Sequence, residues 1–336
     1  MNPQNIQFIW WTHIFYVTLQ SMKFSVTIPA YKSQFLKEAI ESVVSQTYLD
    51  WELIIVDDCS PEDIFSIVKP YLEDKRIRYY RNDKNCGAVN VVDNWNISLS
   101  YCSGDYVICM GDDDRLLPNC LEDYSKLIDK YPTLNVYHTR TEIIDEKGKE
   151  KDIQEQRPEW ESIVSFIWKR WAIRNKQYIG DFCYNSEYLK KVGGYYKLPL
   201  AWGSDDLTAI IAAKDKGIAN MQQCGFQYRE NSLTISCSTQ NARQKMDATL
   251  EQYKRINSLL TELSDSQLSD EDIQYLQTIE KPQKRYYFNS LGKNCTDYIK
   301  GNPFKLIECY RLLRPLHFSL LAYLKWYLSS IYYLLK

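Results

Sequence analysis

A chain of 336 residues with 41 Lys and Arg against 43 Asp and Glu has a formal net charge of -2, and 45% of it is hydrophobic. That balance supplies no overall cationic field of the kind that recruits a phosphate backbone, so nucleic acid is not expected as a partner; the length accommodates one large domain with an appendage. Ten cysteines without a C-x-x-C pair argue against a zinc site and a disulfide framework, which leaves a reduced, cytoplasmic chain as the expectation.

Residues 1–22 hold an apolar stretch from Phe8 to Leu19, broken by Thr12, His13 and Thr18, with no basic leader before it. The stretch is too short to span a bilayer and lacks the charges of a secretory signal. Met22 offers an alternative start, because Phe24 to Ile28 opens straight into a β-rich run, so residues 1–22 are set apart as an N-terminal extension. Pro29 ends that strand, and apolar positions 36, 39, 40, 43 and 44 then recur at helical spacing across Gln34 to Gln46. Glu52 to Val56 is a continuous apolar run, the pattern of a strand buried on both faces of a parallel sheet, and it stops at Asp57-Asp58-Cys59-Ser60-Pro61.

Further along, the pattern predicts a helix at about Ile64 to Leu72, a strand at Ile77 to Tyr80, a loop at Asn82 to Gly87 and a helix through Ala88 to Ser100. The strand Tyr106 to Met110 runs into Gly111-Asp112-Asp113-Asp114, and Pro118 opens a helix reaching about Tyr131. Residues 135–144 read as another strand, carrying His138, whose expected role is structural. Trp202 to Asp206 marks a loop before a helix at about Leu207 to Lys216, and beyond about residue 240 the chain is helical and charged. Alternating strands and helices predict an α/β, doubly wound sheet, in which ligands bind outside the carboxyl ends of the strands.

Two such ends carry acidic clusters, and a third cluster opens a helix. Asp112, Asp113 and Asp114 repel one another, and a hard divalent cation, Mg2+ or Mn2+, is a natural compensation because it takes oxygen ligands and binds phosphates. Helix capping by Asp112 or Asp114 in a solvated loop explains the same residues without a ligand. Asp57-Asp58 likewise precedes a cap-forming Ser60, and Asp205-Asp206 opens a helix whose dipole favours carboxylates. No G-x-G-x-x-G or G-x-x-x-x-G-K-[ST] loop follows the first strand, which removes a dinucleotide-binding or P-loop reading.

Taken in order, Thr27-Ile28-Pro29-Ala30-Tyr31, Ala39 to Thr47, Trp51 to Ser60, and Gly104 to Val107 leading into Gly111 to Pro118 resemble the nucleotide-binding half of the family 2 inverting glycosyltransferases of the GT-A type. The likeness covers roughly residues 23–235. It implies a GT-A nucleotide-sugar-binding domain over residues 23–240; residues 241–336, beyond the likeness, read as a helical C-terminal extension. It also implies that Pro29, Ala30 and Tyr31 line the nucleobase, that Asp58 accepts a hydrogen bond from it with Asp57 beside, and that Asn85 and Gly87 pass along the nucleoside. Asp112 and Asp113 match the D-x-D segment, so Asp113, Asp112 and Asp114 are the expected metal residues for Mn2+ or Mg2+, with Asp112 also on the ribose side. Gly111 stands where many members have their first aspartate, a departure from the pattern. Asp206 matches the general base, which removes the proton of an attacking acceptor hydroxyl, and Asp205 precedes it. Arg229, in Tyr228 to Ser232, resembles a late arginine near the diphosphate; a salt bridge explains it equally.

The function implied is transfer of a sugar from a nucleotide-diphosphate donor, a UDP-sugar, to a saccharide or lipid-linked acceptor in surface polysaccharide assembly. Two rivals remain open: a degenerate domain that binds a nucleotide sugar without turnover, and a nucleotidyltransferase. The segment Leu316 to Leu335, rich in aromatic and aliphatic residues with Lys325 inside, fits either a peripheral contact with the inner face of the membrane or a helix packed on the domain.

Overall fold

The computed structural model describes residues 22–173, 175–231, 241–264, 268–300, 302 and 304–335. The extension 1–21 lies outside the described residues.

In chain order the first half reads β1 (Phe24–Ala30), α1 (Leu36–Val44), β2 (Trp51–Asp57), α2 (Ile64–Val68), β3 (Ile77–Arg81), α3 (Val91–Ser100), β4 (Tyr106–Cys109), β5 (Arg115–Leu116), α4 (Cys120–Lys130), β6 (Val136–Ile144) and β7 (Glu150–Ile153). Then come β8 (Trp160–Glu161), α5 (Ile163–Ala172), β9 (Phe182–Asn185), α6 (Ser186–Lys191), α7 (Ser204–Ala213) and β10 (Ile218–Arg229). Five helices follow: α8 (Ala242–Ser264), α9 (Asp270–Thr278), α10 (Glu280–Ile299), α11 (Lys305–Leu313) and α12 (Leu320–Leu335). Among the described residues the strands form one mixed sheet in the order β3-β2-β1-β4-β9-β6-β10-β5, with β7 beside β6 and β8 beside β10.

The parallel half is the part the sequence announces. Every residue of β2 is buried, as its unbroken apolar run requires of a strand covered on both faces. In the β1–β2 register Ala30 faces Asp57, and in β1–β4 Thr27 faces Cys109, so three strands deliver their carboxyl ends to one edge. Helices α1 and α4 fall inside their predicted spans; α3 begins at Val91, after a single 3-10 turn over Ala88–Asn90. The helix expected from Leu207 starts earlier, at Ser204, because Gly203 adopts φ 86° and lets the chain turn into the first helical residue.

The C-terminal helices share the core of the sheet domain. One buried cluster runs from Val107, Phe166 and Tyr184 through Met246, Leu250 and Tyr287 to Tyr323 and Trp326. Trp326 packs on Phe288 at a ring separation of 5.2 Å, so α12 has a packed inner face. Its outer face leaves Leu320, Leu321, Leu324, Leu328 and Tyr332 exposed.

His138 sits on β6 with its Nε2 3.6 Å from Asp181 Oδ2 and its ring buried against Phe182. Burial first, and the nearby Arg157 guanidinium second, hold the imidazole down at about 4, below its ordinary value of 6.5. The folded state therefore binds the proton more weakly than the unfolded chain, and stability attributable to this group is lost as pH falls from about 6.5 towards 4. A shift of that size corresponds to roughly 3 kcal/mol. Urea titrations of the parent chain and His138→Gln should diverge in pH dependence over this window, the variant falling less; parallel curves would show that His138 carries no such linkage.

Candidate functional site

A cavity of about 970 Å3 opens at the carboxyl edge of the parallel strands. One end is built by the turns after β1, β2 and β3, where Pro29, Tyr31, Asp58, Asn85 and Gly87 line the wall. Asp58 is fixed by its Oδ1, which accepts the Asn82 side-chain amide and the Cys86 backbone N–H, each at 2.9 Å. Asn85 in turn donates to the Asp58 carbonyl at 2.9 Å. The loop is thus tied to the strand end, with Asp58 held in the cavity wall.

Midway along the cavity stand Asp112, Asp113 and Asp114. Asp112 Oδ2 accepts the backbone N–H groups of Tyr31 and Lys32 at 2.7 Å each, which couples the end of β4 to the end of β1. Asp114 Oδ1 accepts the Arg229 N–H at 2.9 Å, and Asp113 Oδ2 accepts the Asn231 side chain at 2.7 Å. Burial, with the Asp113 charge second, pushes Asp112 up to about 6 and Asp114 well above the usual carboxylate range. Crowding explains Gly111, since a Cβ there would lie 2.8 Å from both Asp113 Oδ1 and Asp114 Oδ2.

Across the cavity the first turn of α7 presents Asp205 and Asp206. Asp206 is clamped: Arg170 Nε on α5 meets its two oxygens at 3.0 and 3.1 Å, and Gln252 Nε2 on α8 approaches at 3.3 Å. Arg170 Nη1 also donates to the Asn175 carbonyl at 2.9 Å, and its guanidinium lies 5.2 Å from the Tyr286 ring. Among the described residues Asp205 makes no such direct ion pair. Its Oδ1 accepts the Asp206 N–H at 2.9 Å, and burial followed by the Asp206 charge raises it to about 7.

Residues 25–189 match the family model for Glycosyl transferase family 2. That segment is a family 2 glycosyltransferase sequence. An uncharacterized glycosyltransferase of Rickettsia bellii is 35% identical over 132 residues, covering 39% of this chain and 18% of that protein. WcaA of Escherichia coli K12, named for colanic acid biosynthesis, is 41% identical over 100 residues, 29% of this chain and 34% of that one. The chain spans less than half the length of these relatives. Among solved structures, Staphylococcus aureus TarS 1–349 in complex with UDP-GlcNAc superposes with a TM-score of 0.62 at 16% identity, over 93% of this chain and 91% of that one. That likeness establishes the GT-A fold with its helical C-terminal region.

Within this glycosyltransferase fold three expected residues do not line the cavity. Ala30 is buried in β1. Asp57 turns the other way from Asp58, its oxygens accepting the Ser60 N–H at 2.7 Å, the Tyr79 hydroxyl at 2.7 Å and the Arg81 guanidinium. Arg229 lies behind the carboxylates at 1% exposure: Nε donates to the Asp113 carbonyl at 2.8 Å, Nη1 to the carbonyls of Asp145 and Glu146, and Nη2 to Glu38 at 2.7 Å. It braces the carboxylate loop and does not reach into the cavity. Its neighbour Tyr228 does line the wall, stacked on Tyr178 at 3.8 Å.

The sequence reading missed the wall opposite the sheet. Arg170 from α5, Thr249 and Gln252 from α8, and Tyr286, Asn289 and Ser290 from α10 all line the cavity. The available signal was a buried polar stripe at Lys245, Thr249 and Gln252, one helical face set beside apolar Met246 and Leu250.

Among the described residues no three His, Cys, Asp or Glu side chains gather as a metal cage. The donor set nevertheless suits a hard cation that keeps most of its water and is completed by phosphate oxygens, because among the described residues the Oδ1 atoms of Asp112 and Asp113 accept no hydrogen bond. Replacing Arg229 by Lys should lower folding stability by about 2–4 kcal/mol through lost bonds to buried carbonyls, with UDP affinity of the folded protein little changed. Chemical denaturation together with calorimetry checks this; lost UDP affinity at unchanged stability would return Arg229 to the diphosphate.

Proposed function

We propose that this chain transfers a sugar, with inversion at the anomeric carbon, from a UDP-sugar to a hydroxyl of a saccharide or lipid-linked acceptor in surface polysaccharide assembly. The observation that carries this reading is one cavity with a fixed base-facing carboxylate at one end, a carboxylate cluster in the middle and a second carboxylate pair beyond it. That order matches base, diphosphate and reacting carbon. The UDP-GlcNAc complex of TarS and the colanic acid name of WcaA support the donor class and the setting.

In the mechanism, Asp58, Pro29 and Tyr31 bind the nucleobase, with Asn85 and Gly87 along the nucleoside. Asp113 and Asp112 would hold Mn2+ or Mg2+, which supplies Lewis-acid neutralisation of charge on the departing diphosphate. The acceptor oxygen attacks from the face opposite the nucleotide while a carboxylate of the Asp205–Asp206 pair takes its proton, and one displacement inverts the centre. The geometry favours Asp205 as that base. Asp206 is paired with the Arg170 guanidinium, whereas Asp205 makes no such direct pair among the described residues, and burial followed by the Asp206 charge raises it to about 7, suited to proton exchange near neutrality. Asp206 then acts as a positioning residue, fixing the first turn of α7.

Wild-type protein is expected to gain thermal stability with UDP and Mn2+ and to hydrolyse or transfer from a UDP-sugar, the rate rising with pH through about 7 as Asp205 deprotonates. Asp205→Asn should lose about 10²- to 10⁴-fold in rate at unchanged donor affinity. Full activity in Asp205→Asn with a dead, well-folded Asp206→Asn would return the base to Asp206. Nucleotide binding without any turnover would leave a sugar-nucleotide-binding domain in place of an enzyme.

A peripheral membrane contact belongs to the same proposal, because the exposed face of α12 aligns Leu320, Leu324, Leu328 and Tyr332 beside Lys325. Among the described residues no helix is long and apolar enough to cross a membrane. Leu324→Gln with Leu328→Gln should reduce cosedimentation with anionic liposomes while UDP binding is kept. Equal cosedimentation of variant and parent would remove the membrane from the picture.

A further inference from the structure

Gln177 has no part in the roles above. It lines the cavity at 6% exposure, and neither its Nε2 nor its Oε1 has a hydrogen-bond partner. An amide buried in that way is a standing cost to the folded protein. The backbone around it is firmly held. The Asn175 carbonyl accepts Arg170 Nη1 at 2.9 Å, and the Lys176 carbonyl accepts Gln154 Nε2 at 3.1 Å and Arg157 Nη2 at 3.3 Å. On the other side the Tyr178 N–H donates to Asp181 Oδ2 at 2.9 Å, and its ring stacks on Tyr228. The backbone that carries the unpaired amide is therefore held on both sides, and the amide itself is buried in the cavity wall.

Its position along the cavity is equally defined. Asn175 is tied through Arg170 to Asp206, and Tyr178 stacks on Tyr228, whose neighbour Arg229 donates its backbone N–H to Asp114. Gln177 lies between them, on the stretch that joins the carboxylate cluster to the carboxylate pair. On the reading of a UDP-sugar transferase, on which this inference rests, the first meets the diphosphate and the second meets the acceptor hydroxyl, so the transferred sugar lies between. We infer that Gln177 binds hydroxyl groups of the donor's transferred sugar, its amide N–H donating to one sugar oxygen and its carbonyl accepting a sugar O–H. An uncharged amide able to do both suits a neutral sugar ring.

The test uses the full chain with Mn2+, UDP, and a panel of UDP-glucose, UDP-galactose, UDP-N-acetylglucosamine and UDP-N-acetylgalactosamine. Gln177→Leu should melt no lower than the parent without ligand, because it removes an unpaired buried amide, and should bind UDP within about twofold of it. For the panel member the parent prefers, its affinity and the kcat/KM of hydrolysis should fall about 10- to 100-fold. Gln177→Met serves the same purpose if the Leu variant does not fold. Unchanged UDP-sugar binding and hydrolysis in a folded variant overturns the inference, as does an equal loss for UDP and UDP-sugar, which would mark a nucleotide or folding effect. Failure of the parent to bind any panel member defeats the underlying transferase reading, and the inference with it.

Discussion

The pairing of Arg170 with Asp206 organises the working half of this molecule. A partly buried guanidinium and a buried carboxylate both lose hydration here, and the loss is offset because each meets the other with good geometry. Arg170 comes from α5, Asp206 from α7, Gln252 from α8 and the Tyr286 ring from α10, so one ion pair draws four helices around the end of the cavity. Its second consequence is chemical. Two adjacent carboxylates at one helix start would otherwise behave alike; Arg170 takes one, and the neighbour is left to feel that charge and its own burial.

The other half of the cavity follows from strand order. Parallel pairing of β2, β1 and β4 brings three carboxyl ends to one edge, and polar groups there cannot continue the ladder. They bond across it instead. Asp112 closes on the Tyr31 and Lys32 N–H groups, and Asn82 and Cys86 close on Asp58. Arg229 crosses behind, linking the carboxylate loop to α1 through Glu38 and to the turn after β6 through two carbonyls. Carboxylates can be crowded here only because the backbone behind them is pinned from several elements.

This edge was legible in the sequence because buried parallel strands are continuous apolar runs that stop abruptly at acidic residues, as at Val56-Asp57-Asp58 and Met110-Gly111-Asp112. What lay beyond local pattern was the direction of individual side chains. Asp57 and Asp58 are adjacent, and successive side chains leave a strand on opposite sides, so only one of them reaches the cavity. A lone arginine carries no periodicity at all, and whether Arg229 points towards a ligand or into the scaffold is decided by β6 and α1, far away in the chain. Strands of two residues such as β5 and β8 exist only through their pairing with β10 and leave no pattern of their own.

The helices after residue 240 show the same limit from the other direction. Read as sequence they are charged and amphipathic, which describes an appendage as well as a wall. In the fold, their apolar faces join the cluster that also holds Phe166 and Trp171 of α5, so the helix bearing Arg170 is packed partly by them. Gln252 and Tyr286 meet the ion pair from that side. Removing the C-terminal helices would expose Arg170 and Asp206 to water and dissolve the difference between Asp205 and Asp206. The asymmetry between the two carboxylates is thus a property of the whole packed assembly, extending well past the 25–189 segment that carries the family pattern.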